Sequence, residues 1–126
     1  MDVNTIRDEA MARDFDIMKK NREAVYENGR LLPQYEKAYR KKADEFNNAI
    51  ALYIRDTMMA DLCYKNGNTW VLYCDKRAFK TVLSKHTAKL NLAVNNLNFR
   101  VFKDVVLEAK HEYIGKALPK FQKKCS

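Results

Sequence analysis

Glycine and proline are scarce in this sequence, with three of the first and two of the second among 126 residues. Disordered and loop-rich chains use more of both. With an apolar fraction of 47%, a folded and mainly helical protein is expected. No GxGxxG, GxxxxGK or GxSxG motif occurs, so there is no glycine loop to cradle a phosphate and no nucleophile elbow. No apolar run reaches the ~18 residues that a membrane-spanning helix needs, and no membrane partner is expected. Met1-Asp2-Val3-Asn4 lacks the charged-then-apolar start of a secretory signal, which makes the cytoplasm the expected location.

Groups suited to catalysis or metal binding are equally few. Cysteine is limited to Cys63, Cys74 and Cys125, an odd count whose spacings match no zinc pattern. Cys63 and Cys74 sit among apolar neighbours and read as reduced packing residues. His86 falls in the apolar face of a helix and reads as a core histidine bonded to backbone. His111 and Glu108, one helical turn apart, would be two ligands of a metal site that needs about four. Ser84 and His86 point to different sides of a helix. The acidic residues Asp8, Glu9, Asp14 and Asp16 lie near the start of a first helix, where the helix dipole favours them. No catalytic residue, metal ligand or cofactor is therefore assigned, and the expectation is a protein that is not an enzyme.

What the chain does have is positive charge, and it sits in one half. Residues 1–29 hold 5 Lys and Arg against 7 Asp and Glu, residues 30–68 hold 7 against 5, and residues 69–126 hold 12 against 4. The last segment accounts for the whole net charge of +8. Such a field attracts polyanions or an acidic face of another protein.

The length fits one domain, residues 1–126, with a helical part at 1–65 and a basic part at 66–126. Apolar spacing predicts a helix over residues 5–28, capped at Thr5 and stopped by Asn28-Gly29. Its apolar positions cover nearly half the helical wheel, wide enough for two neighbours, or for one neighbour and a second copy of the chain. A second helix is predicted over 33–64, with Pro33 in its first turn, packed antiparallel on the first. Asn66-Gly67 signals a turn, and residues 69–74 read as a strand covered on both faces. Asp75 caps a helix over about 76–88. Residues 90–102 fit a β-hairpin folded about Asn95-Asn96, which four nearby asparagines favour over a helix. Asp104 then caps a last helix to about Ala117, and Pro119 stops it. The fold class expected is helix-rich α+β, an N-terminal antiparallel helical hairpin packed with a small C-terminal βαββα unit. An all-α bundle is the alternative.

Between Asp75 and Asp104 no acidic residue occurs, yet Lys76, Arg77, Lys80, Lys85, Lys89 and Arg100 do. By contrast, Lys37, Arg40, Lys41 and Lys42 have Asp44 and Glu45 close by and read as a solvated face. Six uncompensated cations can displace counterions from a polynucleotide, with Thr81, Asn91 and Asn98 near them to add hydrogen bonds. The first expectation is thus a small non-catalytic protein whose basic half engages nucleic acid or an anionic nucleoprotein surface. Short, basic, motif-poor chains of this kind occur among viral and mobile-element accessory or inhibitor proteins, an association of composition alone. The second expectation is a homo-oligomeric helical module that acts by steric blocking or scaffolding. Its interface would use Phe15, Met18, Tyr26, Tyr35 and Tyr39, because tyrosine is apolar in body and polar at its tip.

Overall fold

The computed structural model describes residues 2–125. The chain is a helix-rich α+β fold with four α-helices and two small two-stranded antiparallel sheets among those residues. Helix α1 spans Val3–Val25, and α2 spans Glu36–Met59 after a 3-10 turn at Pro33–Tyr35. Between them lie β1 (Tyr26–Glu27) and β2 (Arg30–Leu31). The ribbon β3 (Cys63–Asn66) and β4 (Thr69–Leu72) follows α2, then α3 (Lys76–Asn95) and α4 (Phe99–Cys125).

Asp2, rather than Thr5, caps α1, its side chain accepting the Thr5 amide at 2.9 Å. Asn28-Gly29 does more than stop that helix. With φ of 51° and 76° the two residues form the tip of the β1–β2 hairpin, as asparagine-glycine pairs do when both must take positive φ. The reversal lays α2 back along α1 in the expected antiparallel sense. Phe15 meets Phe46 at 5.0 Å, and Lys42 Nζ donates to Asn21 Oδ1 at 3.2 Å.

Helix α2 ends five residues short of the predicted boundary, because Cys63–Asn66 is drawn into pairing with Thr69–Leu72. Gly67 turns that ribbon with φ of 63°. The predicted strand is therefore one arm of a hairpin and is open to solvent on one face, with Trp70 68% exposed. Cys63 and Cys74 are exposed rather than packed in apolar surroundings.

The predicted hairpin over 90–102 does not form, and the order strand, helix, strand, strand, helix is absent. Helix α3 runs on to Asn95 and α4 starts at Phe99. A hairpin would bury every second residue, yet Leu92 is 63% and Val101 45% exposed. The buried set is Leu90, Ala93 and Leu97, a helical spacing that continues the apolar face of α3. The break comes at Leu97, which takes φ of 50°. Its amide bonds the Val94 carbonyl, and the Asn98 amide bonds that of Ala93, both at 3.0 Å. These bonds close α3 as a left-handed cap does. Asn98 Oδ1 then accepts the Val101 amide at 3.2 Å, so Asn98, not Asp104, starts α4.

Pro119 does not stop α4, which extends to Cys125. Proline removes one backbone bond, and packing beyond it carries the helix on. Phe121 lies 5.7 Å from Tyr73 and 6.4 Å from Tyr64. The core forms around α4, against which α3 packs antiparallel and α2 parallel. Phe15, Phe102, Tyr113, Met58, Leu62, Val82 and Val106 are its fully buried large side chains.

Candidate anionic-partner interface

Asp75 builds the start of the basic surface. Its Oδ1 accepts the Ala78 amide at 3.1 Å, which fixes the first turn of α3 as the sequence predicts. Tyr113 Oη accepts the Asp75 amide at 3.0 Å, anchoring that turn on α4. The apolar face of α3, formed by Val82, His86, Leu90 and Ala93, then turns inward. The 3.6-residue period places Lys76, Arg77 and Lys80 on the opposite side, and all three are exposed. Among the described residues none of the three has an ion-pair partner.

The other predicted cations differ. Lys85 Nζ lies 4.0 Å from Glu112 Oε2, and Lys89 Nζ lies 3.8 Å from Glu108 Oε1. Their compensation comes from α4, so the view of six uncompensated charges is corrected to a smaller group. Arg100 is exposed at the start of α4. It lies at the far end of α3 from Lys76, a 20-residue helix, or roughly 30 Å at 1.5 Å per residue. The polar residues expected to help are partly occupied. Thr81 Oγ1 donates to the Arg77 carbonyl at 2.8 Å. Asn98 serves as the cap of α4. Asn91 is exposed on the outer face of α3.

Sequence reasoning missed what the C-terminal end of α4 adds. The antiparallel packing returns it to the first turn of α3, where Lys120 Nζ reaches Asp75 Oδ2 at 2.9 Å. Lys120 and the Ala78 amide hold the Asp75 carboxyl below the usual carboxylate range, and Asp75 raises the Lys120 ammonium. Lys116 is exposed one turn before Lys120, and Lys124 Nζ sits 5.8 Å from the Tyr64 ring centre. The spacing of Lys116, Lys120 and Lys124 at intervals of four was the available signal. It was lost by ending the helix at Pro119.

Lys76 and Arg77 lie in the first turn of α3, a placement that runs against the helix dipole. A helix N-terminus carries partial positive charge, and cations there cost about 0.3–1 kcal/mol each when little screened. The first turn of α3 holds no acidic residue. Arg77 also repels the Lys120 ammonium. Residues that break a local rule without a compensating contact are candidates for use by a partner.

His86 is buried, but its partner is a side chain and not backbone. Its Nε2 lies 3.1 Å from Glu112 Oε1, while Nδ1 has no hydrogen-bond partner. His111 is exposed. No three His, Cys, Asp or Glu among the described residues are grouped to hold a metal ion.

The proposed self-association residues divide as well. Phe15 and Met18 lie in the core, so they offer no surface. Phe15 packs on Phe46 of α2 and on Phe99 and Phe102 of α4, at 5.0, 5.5 and 5.2 Å. The Met11, Phe15 and Met18 side of the apolar stripe of α1 is thus filled by the chain's own helices, while Ile6 and Ile17 stay exposed. Tyr26 and Tyr35 are exposed, and Tyr39 is half-buried with its ring 5.6 Å from that of Tyr26. No helix of the described residues is long and apolar enough to cross a membrane. No family model, curated protein or solved structure matches the chain.

Proposed function

We propose that this protein is a non-catalytic binding module that engages nucleic acid through the N-terminal half of α3, with Lys76, Arg77 and Lys80 as its contact residues. The observation that carries this reading is their state: exposed, on one helix face, and without an ion-pair partner among the described residues. Phosphates replace condensed counterions on such a face, and the released ions drive binding. Lys85 and Lys89 flank the contact but begin from weak pairs with Glu112 and Glu108, so they contribute less. Arg100 is too distant to share a short footprint.

The test is charge reversal. Arg77→Glu with Lys80→Glu should abolish polynucleotide binding while circular dichroism stays unchanged. Unaltered affinity in that double variant removes the proposal.

A second reading rests on the outer side of the α1–α2 hairpin. Ile6, Ile17 and Leu52 are exposed there, and Ile17 lines a cleft with Asp14, Lys42, Glu45, Phe46 and Ala49. In this reading the chain self-associates through the hairpin. Sedimentation of the wild type and of Ile17→Lys decides it, since a dimer that the variant dissociates supports it and a monomeric wild type excludes it.

A further inference from the structure

The β3–β4 ribbon has two unlike faces. Its register pairs Tyr64 with Val71 and Lys65 with Trp70. Tyr64 and Val71 are half-buried toward the body of the protein, while Cys63, Lys65, Trp70 and Leu72 are exposed. The inner face holds the ribbon in place. Phe121 contacts both Tyr64 and Tyr73, and the Tyr73 amide donates to the Leu62 carbonyl at 2.7 Å. A slip of one residue would bury Trp70 and expose Val71, yet the ribbon turns its largest aromatic outward. Trp70 is the chain's single tryptophan and is 68% exposed. Its ring has Lys65 Nζ at 5.9 Å from the centre, at the outer limit of cation–π attraction. Most of this side chain lies outside the packed core.

The surroundings indicate what it would meet. From Leu62 to Cys74 the ribbon carries no acidic residue of its own, and the Cys63–Leu72 end of its outer face borders a cleft shared with Arg7, Asp56 and Asp61. The ribbon leads through Asp75 directly into Lys76, Arg77 and Lys80. An exposed flat aromatic beside a flexible ammonium, followed along the chain by a basic helix, suits a ligand that is anionic and carries its own aromatic faces. In a duplex those faces are stacked on one another, whereas in a single strand they are available.

We propose that Trp70 is a stacking platform for an unpaired nucleobase, with Lys65 meeting the adjoining phosphate, so that the nucleic acid engaged is single-stranded. This rests on the nucleic-acid reading above and specifies its ligand.

Because the chain has one tryptophan, emission excited beyond tyrosine absorption reports on Trp70 alone. The full chain is titrated with oligo(dT), oligo(U), duplex DNA of equal phosphate content, and inorganic polyphosphate. Single strands should quench Trp70 and bind more tightly than the duplex. Trp70→Ala should weaken single-strand binding by roughly tenfold or more and leave duplex and polyphosphate binding unchanged, while Trp70→Phe retains most of the affinity. The two single strands separate DNA from RNA as the better ligand. Equal single-strand affinity in Trp70→Ala, with or without quenching in the wild type, overturns the stacking site. If Arg77→Glu with Lys80→Glu still abolishes binding in that case, the basic-surface reading survives it. Absence of binding to every nucleic acid overturns both.

Discussion

Asp75 Oδ2 accepts from Lys120 Nζ at 2.9 Å, so the residue that starts α3 also fastens the end of α4. A carboxyl held low in the folded state contributes stability that is full above its unfolded value of about 3.9 and is lost as pH falls through the folded value. Asp75 is such a group. Lys120 is raised, so its contribution is present below about pH 10.4 and is lost as pH rises through the folded value. Asp75→Ala should cost about 1 kcal/mol through the lost cap. Asp75→Asn keeps a capping oxygen and should cost less, while flattening the acid limb of the melting curve. Thermal melts across pH check both.

Asp8 joins three helices. Tyr53 Oη donates to its Oδ1 at 2.7 Å, and Lys103 Nζ lies 2.9 Å from its Oδ2. Burial, then the hydrogen bond to Asp8, pushes the Tyr53 phenol well above its usual range, so it remains a donor throughout the folded range. Asp8→Ala leaves a buried hydroxyl without its acceptor and should destabilise by about 1–3 kcal/mol. Tyr53→Phe removes the donor and leaves Asp8 with Lys103, at about 0.5–1.5 kcal/mol. Urea unfolding of the two variants should reproduce that order.

Pro119 lies inside α4. Its ring removes a donor to the Gly115 carbonyl and crowds that turn. Pro119→Ala restores the donor, relieves the crowding and should raise stability by about 1 kcal/mol or more. Hydrogen exchange should slow at the amides of residues 120–124. Unchanged exchange there would mean that packing of Phe121 already holds the segment.

Arg77 offers a test in which stability and binding separate. Its side chain lies at the positive end of α3 and opposes Lys120. Arg77→Glu should therefore stabilise the fold by a few tenths of a kcal/mol, as an acidic residue does in a first helical turn, while weakening nucleic-acid binding. A melting temperature that falls along with affinity would assign Arg77 to the fold instead.

Features set by neighbours along the chain were legible in the sequence. The Asp75 cap, the outward side of α3 and the α1–α2 hairpin follow from local period and turn chemistry. Residues 90–102 misled because Leu90, Leu92, Val94 and Leu97, Phe99, Val101 satisfy a two-residue alternation. Only tertiary burial of Leu90, Ala93 and Leu97 shows that the three-to-four period governs, with Leu97 bearing a positive φ that a sequence rule assigns to asparagine or glycine. The compensation of Lys85 and Lys89 was hidden for a related reason. Glu112 and Glu108 lie more than fifteen residues away and become neighbours only once α4 is aligned on α3. Phe15 and Met18 were legible as apolar, but whether their cover was α4 or a second copy depended on that same packing.

The most direct test of the basic surface is the salt dependence of single-strand binding, as the slope of log affinity against log salt concentration. Three phosphates neutralised by Lys76, Arg77 and Lys80 predict a slope of about −2 or steeper. Reversal of Arg77 and Lys80 should bring it toward zero as affinity is lost. A wild-type slope near zero, or a slope that the reversal leaves intact, contradicts the account.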